Sequence, residues 1–297
     1  MDTSLYIGSN KIEMACGTVK DDRVILKAFS TVELPDQTVI NGIITNHRAF
    51  KEGMAKIMTD YPNAVMENVR ITIASSPAFV KARKVPRLKE LQMMEWMEGE
   101  FEELNDPENP LVFDYAVLDE NKEEGDTAIL CAIERSVIEE LIILFDEMDI
   151  SISCINTGIV SQVKFVQHME SARDRTFLLM HMDGQNLDAT LYVKGMFTLL
   201  NRTRLIGARG SEALGREMEE IVSKLIQFNQ GEKNDPIEFI YVSGFREEQK
   251  LLTDRNFRSS SVEIRNIAED GIGMVETNYD SFSLGEYLYV TGNLFKE

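Results

Sequence analysis

The sequence has few cysteines and histidines. Its cysteines, Cys16, Cys131 and Cys154, are widely spaced and form no Cys-x-x-Cys pair, so the pattern indicates neither a disulfide framework nor a zinc site. The three histidines show no metal-ligand spacing, and no Ser-His-Asp or Cys-His arrangement is visible. These absences predict three reduced thiols in the core.

Long hydrophobic runs are also missing. No apolar stretch approaches the roughly 20 residues that span a bilayer, and the N-terminus lacks a basic segment followed by an apolar one. The sequence therefore predicts no membrane insertion and no secretion signal, and a cytoplasmic location is expected.

Positive charge is scarce. The 297 residues include 31 Lys and Arg against 50 Asp and Glu, which gives a formal net charge of −19. Such a charge repels nucleic-acid phosphates and anionic lipids, so binding to either is not expected. Acidic residues are concentrated at positions 98–108 and 119–126. Each stretch is interpreted as a solvated face or as a docking surface for a basic peptide.

A strand–turn–strand unit is present twice. The turns consist of Gly8, Ser9 and Asn10 in the first copy, and of Gly184, Gln185 and Asn186 in the second. Glycine lets a phosphate approach the backbone and leaves N–H groups free to donate to it. A tight hairpin also requires glycine, so each turn alone is a weak indication. The pair, in matching positions, predicts two similar half-domains that face each other.

The order of predicted elements is that of an α/β fold. The first half is predicted to comprise residues 1–78 and 153–174, interrupted by a β-α-β-β-α subdomain at 79–152. The second half is predicted at 175–297, with a reduced insertion at about 208–236.

Local signals define several helix ends. Helix N-caps are predicted at Asn46 and Ser211, and a capping box at Ser136 and Glu139. Further helices are predicted over 247–253 and over 284–295.

Taken in order, these motifs resemble the actin-like ATPase fold in its bacterial division and pilus branch, and most of all the PilM family of type IV pilus assembly proteins. The opening residues 5–10 resemble the family's first phosphate loop, and 240–244 resemble its adenosine motif. Residues 39–44, 73–77 and 109–115 resemble further family segments, the last two around the inserted subdomain. The resemblance covers nearly the whole chain and implies a duplicated, ribonuclease H-like actin fold.

The resemblance also implies a site for ATP and Mg²⁺ between the halves. If that site is retained, the residues that it assigns to the nucleotide are Gly8, Ser9, Asn10, Gly184, Gln185, Asn186, Gly207, Ser243 and Gly244.

This sequence departs from the family pattern at the positions that carry the chemistry. Tyr6 and Met182 stand where the family has acidic residues, and Asp183 is one residue out, which on a strand is the opposite face. An acid at Asp188, next to Leu187, is expected to repel a phosphate.

The remaining departures concern the base and the metal. Phe245 is expected to crowd the base. Magnesium-assisted hydrolysis requires carboxylates on the metal, and only Asp183 and Glu13 are available as fallback ligands. The sequence therefore predicts weak or no ATP hydrolysis.

The function implied by the resemblance is that of a cytoplasmic scaffold in a type IV pilus or related secretion machine. Its implied partners are the cytoplasmic tail of a PilN-like membrane protein, docked on the first half near the insertion, and other pilus assembly proteins. These would recruit the chain to the inner face of the membrane; self-association is left open. The alternatives are an active actin-like ATPase or superfamily small-molecule kinase, an FtsA-like division filament protein and a type II secretion L-protein domain. The non-basic C-terminal segment and the missing membrane span argue against the last two.

Overall fold

A computed structural model describes residues 1–62, 64, 66–74, 76–120, 125–208, 210–246, 249 and 262–296. None of the helices in these ranges is long and apolar enough to cross a membrane. The strands, in chain order, are β1 (Asp2–Ile7), β2 (Lys11–Lys20), β3 (Arg23–Glu33), β4 (Val39–Ile40), β5 (Ile43–Ile44), β6 (Val69–Ile73), β7 (Ala78–Val85), β8 (Leu111–Asp119), β9 (Asp126–Glu134), β10 (Ile152–Thr157), β11 (Phe177–Asp183), β12 (Asn186–Val193), β13 (Met196–Arg204), β14 (Phe239–Ser243), β15 (Glu263–Asn266) and β16 (Val275–Glu276). The helices are α1 (His47–Asp60), α2 (Glu90–Glu100), α3 (Arg135–Asp146), α4 (Gly158–His168), α5 (Glu212–Gly231), α6 (Ile267–Gly271) and α7 (Leu288–Gly292).

Two of the sheets share one topology. The first has the order β10-β6-β1-β2-β3-β16, and the second has the order β13-β12-β11-β14-β15. In each sheet an antiparallel three-stranded meander is extended by two parallel strands, which join the meander at its first strand. The two similar halves predicted from the repeated hairpin are therefore confirmed.

The segment between β6 and β10 forms a separate layer. Strands β7, β8 and β9 make an antiparallel sheet in the order β7-β9-β8, and α2 and α3 belong to the same β-α-β-β-α unit. Its small core includes Met93, Met97 and Phe101 of the α2 region, packed on Leu130 of β9. The inserted subdomain predicted from the sequence is confirmed in type and order.

The end of the chain returns to the first half. Strand β16 pairs in parallel with β3 of the first sheet, and α7 packs on α4 and against β1 and β2. The second half predicted from the sequence, 175–297, therefore includes a C-terminal segment, with β16 and α7, that lies against the first half.

The helix caps show where local rules held and where they failed. Asn46 Oδ1 accepts the amide proton of Ala49 at 3.1 Å, and Ser211 Oγ accepts that of Leu214 at 3.2 Å, so both predicted N-caps are confirmed. The predicted cap at Ser136 is wrong, because α3 already begins at Arg135 and the Ser136 amide donates to Asn109.

The predicted terminal helix was too long. Only Leu288–Gly292 is helical, and residues 284–287 form turns in which the amides of Glu286 and Tyr287 donate to the Ser283 carbonyl. Glycine at position 285 disfavours a continuous helix there. The helix predicted over 247–253 lies outside the described residues except for Gln249.

The two halves are joined by a shared apolar core that includes α4, the C-terminal segment and the inner face of the second sheet. Within it, the ring of Phe177 stacks on Tyr192 at 4.8 Å and on Phe239 at 5.3 Å between centroids. Stacked aromatic pairs of this kind add stability beyond their buried area. The core fixes the orientation of the two hairpins that meet above it.

Candidate functional site

The two hairpins predicted from the sequence lie directly against each other. Ser9 donates twice to Asp183 Oδ2, from its amide at 2.9 Å and from its hydroxyl at 2.8 Å. Asn186 Nδ2 in turn donates to Ser9 Oγ at 2.9 Å. Glycine at 184 has a φ of +63°, and a methyl group built there would lie 3.5 Å from Ser9 Cβ. The structure thus brings Gly8, Ser9, Gly184 and Asn186 together.

Asp183 points toward the first hairpin. Its carboxylate contacts Ser9, and the residue is only 5% exposed. Met182 turns into the core of the second half. The two residues therefore point to opposite faces of β11, as alternation predicts, and it is Asp183 that faces the first hairpin.

Three further predicted positions, Gly8, Gly207 and Gly244, donate their backbone amides within the chain. The amide of Gly8 donates to the Lys11 carbonyl at 2.9 Å, and that of Gly244 donates to the Gly285 carbonyl at 2.6 Å. The amides of Ile206 and Gly207 donate to the carboxylate of Glu217 at 2.9 and 3.0 Å.

Other predicted positions also make contacts within the chain. Ser243 Oγ donates to the Gly285 carbonyl at 2.7 Å, and the carbonyls of Asn10 and Gln185 accept the amide protons of Leu34 and Leu205. Asn10 and Gln185 line the two cavities between the hairpins and the second half.

Glu13 is held by a buried ion pair with Lys11. Burial raises the pKa of Glu13, and the Lys11 ammonium only partly opposes that rise. Burial by itself lowers the pKa of Lys11, but the carboxylates of Glu13 and Asp183 reverse the direction, so its pKa is raised. The Glu13 carboxylate is thus engaged by the Lys11 ammonium within the chain.

The residues that depart from the family pattern are also accounted for by packing. Tyr6 is buried, and its ring meets that of Tyr289 edge-to-face at 5.0 Å. Asp188 forms an ion pair with Arg202 at 3.0 Å, and Phe245 is buried in the core of the second half. Phe245 also lines the adjacent cavity, which holds about 190 Å³.

These residues do not fit a magnesium nucleotide in this arrangement. The cavity of about 190 Å³ is lined by Glu13, Glu33 and Glu286, against which stand Lys11, already paired with Glu13, and Arg246. A neighbouring cavity of about 260 Å³ is lined by Gly184, Gln185 and Gly207, and its described lining supplies no cationic side chain. This excess of carboxylates repels a triphosphate. Within the described ranges, no group of three or more His, Cys, Asp or Glu side chains is arranged to hold a metal ion. The fallback ligands Asp183 and Glu13 are engaged by Ser9 and Lys11.

His181 is a buried neutral group beside the hairpins. The single hydroxyl proton of Ser243 goes to the Gly285 carbonyl, so Ser243 Oγ accepts from His181 Nδ1 at 3.0 Å and Nδ1 carries the ring proton. His181 Nε2 is buried without a hydrogen-bond partner. Burial, assisted by the charge of Lys11, holds the pKa of His181 well below its usual range.

The buried histidine predicts a stability that falls in mild acid. The unfolded chain binds a proton on His181 near pH 6.5 and the folded chain does not. The neutral histidine therefore contributes fully to the free energy of unfolding well above pH 6.5, and this contribution declines as the pH falls through 6.5. We expect the free energy of unfolding to fall by about 1 kcal/mol between pH 6.5 and 5.5 for this reason. Urea denaturation at both pH values, compared with His181→Gln, measures it. The same change in both proteins would contradict the assignment.

A second concave site lies between the inserted subdomain and the first half, and we refer to it as the insertion groove. Its cavity volume is about 510 Å³, and its walls are β8 and β9, α3, and β10 with the start of α4. Both β8 and β10 are edge strands of their sheets. The lining is mainly aliphatic and includes Ile138 and Ile142 of α3 and Ile155 of β10.

Two carboxylates and two thiols also line the insertion groove. Asp114 and Asp146 are exposed, and none of the described lining residues is Lys, Arg or His. Burial raises the pKa of the Cys131 thiol to about 12, so it stays protonated and unreactive; Cys154 also lines the groove. The site is suited to binding rather than to covalent chemistry.

Sequence patterns did not locate this groove. The acidic stretch at 98–108 is not part of its lining, and of the second stretch residues 121–124 lie outside the described ranges. Met93 and Met97 of the insertion are buried in its own core and do not line the groove. The sequence of an aliphatic strand such as β10 does not show whether the strand lies at the edge or in the middle of its sheet.

The comparisons with known proteins place the fold. No family model matches the sequence, and no curated protein matches it. Among solved structures, a chain of the PilM–PilN type IV pilus biogenesis complex superposes with a TM-score of 0.79 at 16% identity, covering 99% of this chain and 97% of that one.

Two further structures share the architecture at lower similarity. A Bacteroides thetaiotaomicron protein with an actin-like ATPase fold and unknown function gives a TM-score of 0.55 at 11% identity, covering 93% and 96% of the two chains. The ethanolamine utilization protein EutJ from Carboxydothermus hydrogenoformans gives 0.51 at 7% identity, covering 99% and 88%. The chain therefore has the actin-like fold in a PilM-like form, and the predicted fold class is confirmed.

Proposed function

We propose that this chain is a cytoplasmic scaffold of a type IV pilus or related secretion machine, and that it binds the cytoplasmic tail of a PilN-like membrane protein in the insertion groove. The observation that carries the proposal is this aliphatic groove between two sheet edges, in a chain whose fold matches one chain of a PilM–PilN complex over nearly its whole length. Binding of the tail would hold the chain at the inner face of the membrane. Contacts with other pilus proteins and self-association stay predictions.

The shape of the groove supports an extended peptide as the ligand. Edge strands expose backbone N–H and C=O groups, and an added strand can pair with them while alternate side chains enter pockets. The edges β8 and β10 offer such groups on opposite walls. A volume of about 510 Å³ accommodates a few aliphatic side chains rather than a folded domain.

The charge of the groove supports a tail with basic residues next to its aliphatic ones. Asp114 and Asp146 supply the charged groups on the described lining, and the chain as a whole carries −19. Opposite charges across an interface raise the association rate and favour one register of binding. Salt weakens this part of the interaction because the screening length is only about 10 Å at 0.1 M ionic strength.

Calorimetry with a synthetic tail of a PilN-like membrane protein from the same organism tests the proposal. We expect a dissociation constant in the micromolar range, about −8 kcal/mol, which weakens as salt is raised. A scrambled peptide of the same composition controls for charge alone. The proposal is wrong if no tail gives heat or a detectable fluorescence-anisotropy change at millimolar peptide.

We also propose that docking requires no ATP hydrolysis. Asp183 and Glu13, the fallback metal ligands, are both held by internal partners, and three glutamates line the cavity beside Glu13. The rate of phosphate release from ATP with magnesium is therefore expected to stay at the level of a protein-free control, with or without the tail.

A further inference from the structure

We propose that Asp183 is a built-in anion that replaces a phosphate group between the two hairpins and holds the two halves together without a nucleotide. The group formed by Ser9, Asp183 and Asn186 is referred to below as the clamp. Its three hydrogen bonds connect residues that are more than 170 positions apart in the chain. The inference does not depend on the docking proposal, because no clamp residue lines the insertion groove.

Each hydrogen bond of the clamp has a defined donor and acceptor. Ser9 has one hydroxyl proton, which it donates to Asp183 Oδ2 at 2.8 Å, and its oxygen accepts from Asn186 Nδ2 at 2.9 Å. Its amide donates to the same carboxylate oxygen at 2.9 Å. Bonds to an ionised acceptor are about twice as strong as neutral ones. A backbone amide and a hydroxyl at a glycine turn are also the donors that a phosphate oxygen uses.

The space for the carboxylate is created by Gly8. A methyl group built at Gly8 would lie 3.0 Å from Asp183 Oδ1, so a side chain there would press on the carboxylate. Asp183 Oδ1 itself is buried and has no hydrogen-bond partner. The nearby Lys11 ammonium interacts electrostatically with Asp183 and compensates part of its charge.

An external phosphate would have to compete with this carboxylate. The Ser9 donors cannot serve both anions, and two negative charges at hydrogen-bond distance repel each other strongly in a buried site. A second internal carboxylate occupies backbone donors in the loop before α5, where Glu217 accepts from the amides of Ile206 and Gly207. The chain thus supplies anions of its own to two loops in which the family resemblance implies phosphate contacts.

The inference predicts that removing the charge creates phosphate affinity. In Asp183→Asn the neutral amide oxygen accepts weaker hydrogen bonds from Ser9 than the carboxylate does. Phosphate can then displace it from the Ser9 donors, and the repulsion of an incoming anion is lost. We expect its Tm to fall by about 4 °C, and 10 mM inorganic phosphate to raise it again. Wild type is expected to show no shift with phosphate or with magnesium ATP. Phosphate binding by isothermal calorimetry is expected to be at least about tenfold tighter in the variant.

The matched control is Asp235→Asn. Asp235 is exposed and lies 3.6 Å from Lys194, away from the clamp, and its substitution changes the net charge by the same amount. We expect no phosphate effect on its Tm. A gain equal to that of Asp183→Asn would overturn the inference, because it would trace the effect to net charge.

A measurement on the unmodified chain covers the case in which Asp183→Asn does not fold. The Ser9 amide is expected to exchange its hydrogen slowly, and neither its exchange rate nor its NMR shift is expected to respond to 10 mM phosphate or magnesium ATP. A response of Ser9, or wild-type phosphate binding as tight as that of the variant, overturns the inference. Unchanged tail binding by Asp183→Asn would separate this result from the docking proposal.

Discussion

Replacing Gly292 with alanine is expected to lower the free energy of unfolding by about 3 kcal/mol. Gly292 is the last residue of α7, and a methyl group there would overlap the backbone carbonyl oxygen of Ser161 in α4. It would also lie 3.2 Å from Phe165 Cβ. Backbone cannot yield as a flexible side chain does, so the two helices must move apart, and the shared core between the halves opens with them. Urea denaturation followed by circular dichroism measures the change.

Gly99→Ala is the matched control for this substitution. Gly99 lies in α2, is exposed and has no atom within 4 Å of a methyl group built on it. Alanine in a helix is favoured over glycine by roughly 0.5–1 kcal/mol, so this variant is expected to be slightly more stable than wild type. If Gly292→Ala is within 1 kcal/mol of wild type, the close packing of α7 on α4 is not as the structure has it.

Replacing Ile142 with lysine is expected to weaken binding of the tail peptide about 30-fold, which corresponds to about 2 kcal/mol. Ile142 is 50% exposed on α3 and lines the insertion groove. Lysine removes apolar contact with the tail and adds a positive charge, which repels the basic residues proposed for the tail. Since the side chain is already half exposed, the stability of the protein itself is expected to change by less than about 0.5 kcal/mol.

Ile143→Lys is the matched control, since Ile143 is the next residue of the same helix, is 61% exposed and does not line the groove. Its tail affinity is expected to stay within about twofold of wild type, with the residual change arising from net charge. Calorimetry on both variants under the same salt conditions gives the comparison. Equal losses in the two variants, or none in Ile142→Lys, would remove the groove from the binding site.

Much of the architecture followed from local patterns. The strand–turn–strand pattern of the two hairpins and the N-cap side chains of Asn46 and Ser211 each specify a conformation through near neighbours in sequence. The predictions that failed were also local. Ser136 was preceded by a residue that already starts α3, and the terminal helix was shortened where turn hydrogen bonds at Ser283 competed with helical ones.

The contact between the two hairpins could be predicted only in part from the sequence. The positions of Gly8 and Gly184 were identified because a turn between strands has a recognisable composition. The direction of Asp183 was not, because alternation states that Met182 and Asp183 point to opposite faces without stating which face meets the other half. The core of the second half takes Met182, and Asp183 is left facing Ser9.

The α/β class, the duplicated hairpins, the inserted subdomain and the acidic character of the chain could be predicted from the sequence, since each depends on composition or on short-range periodicity. The contact of Ser9 with Asp183 and the groove bordered by β8 and β10 could be recognised only once the chain was folded. Both facts join segments that are distant along the chain. Such contacts arise when large apolar faces are buried together, and that burial fixes which polar groups are left opposite each other.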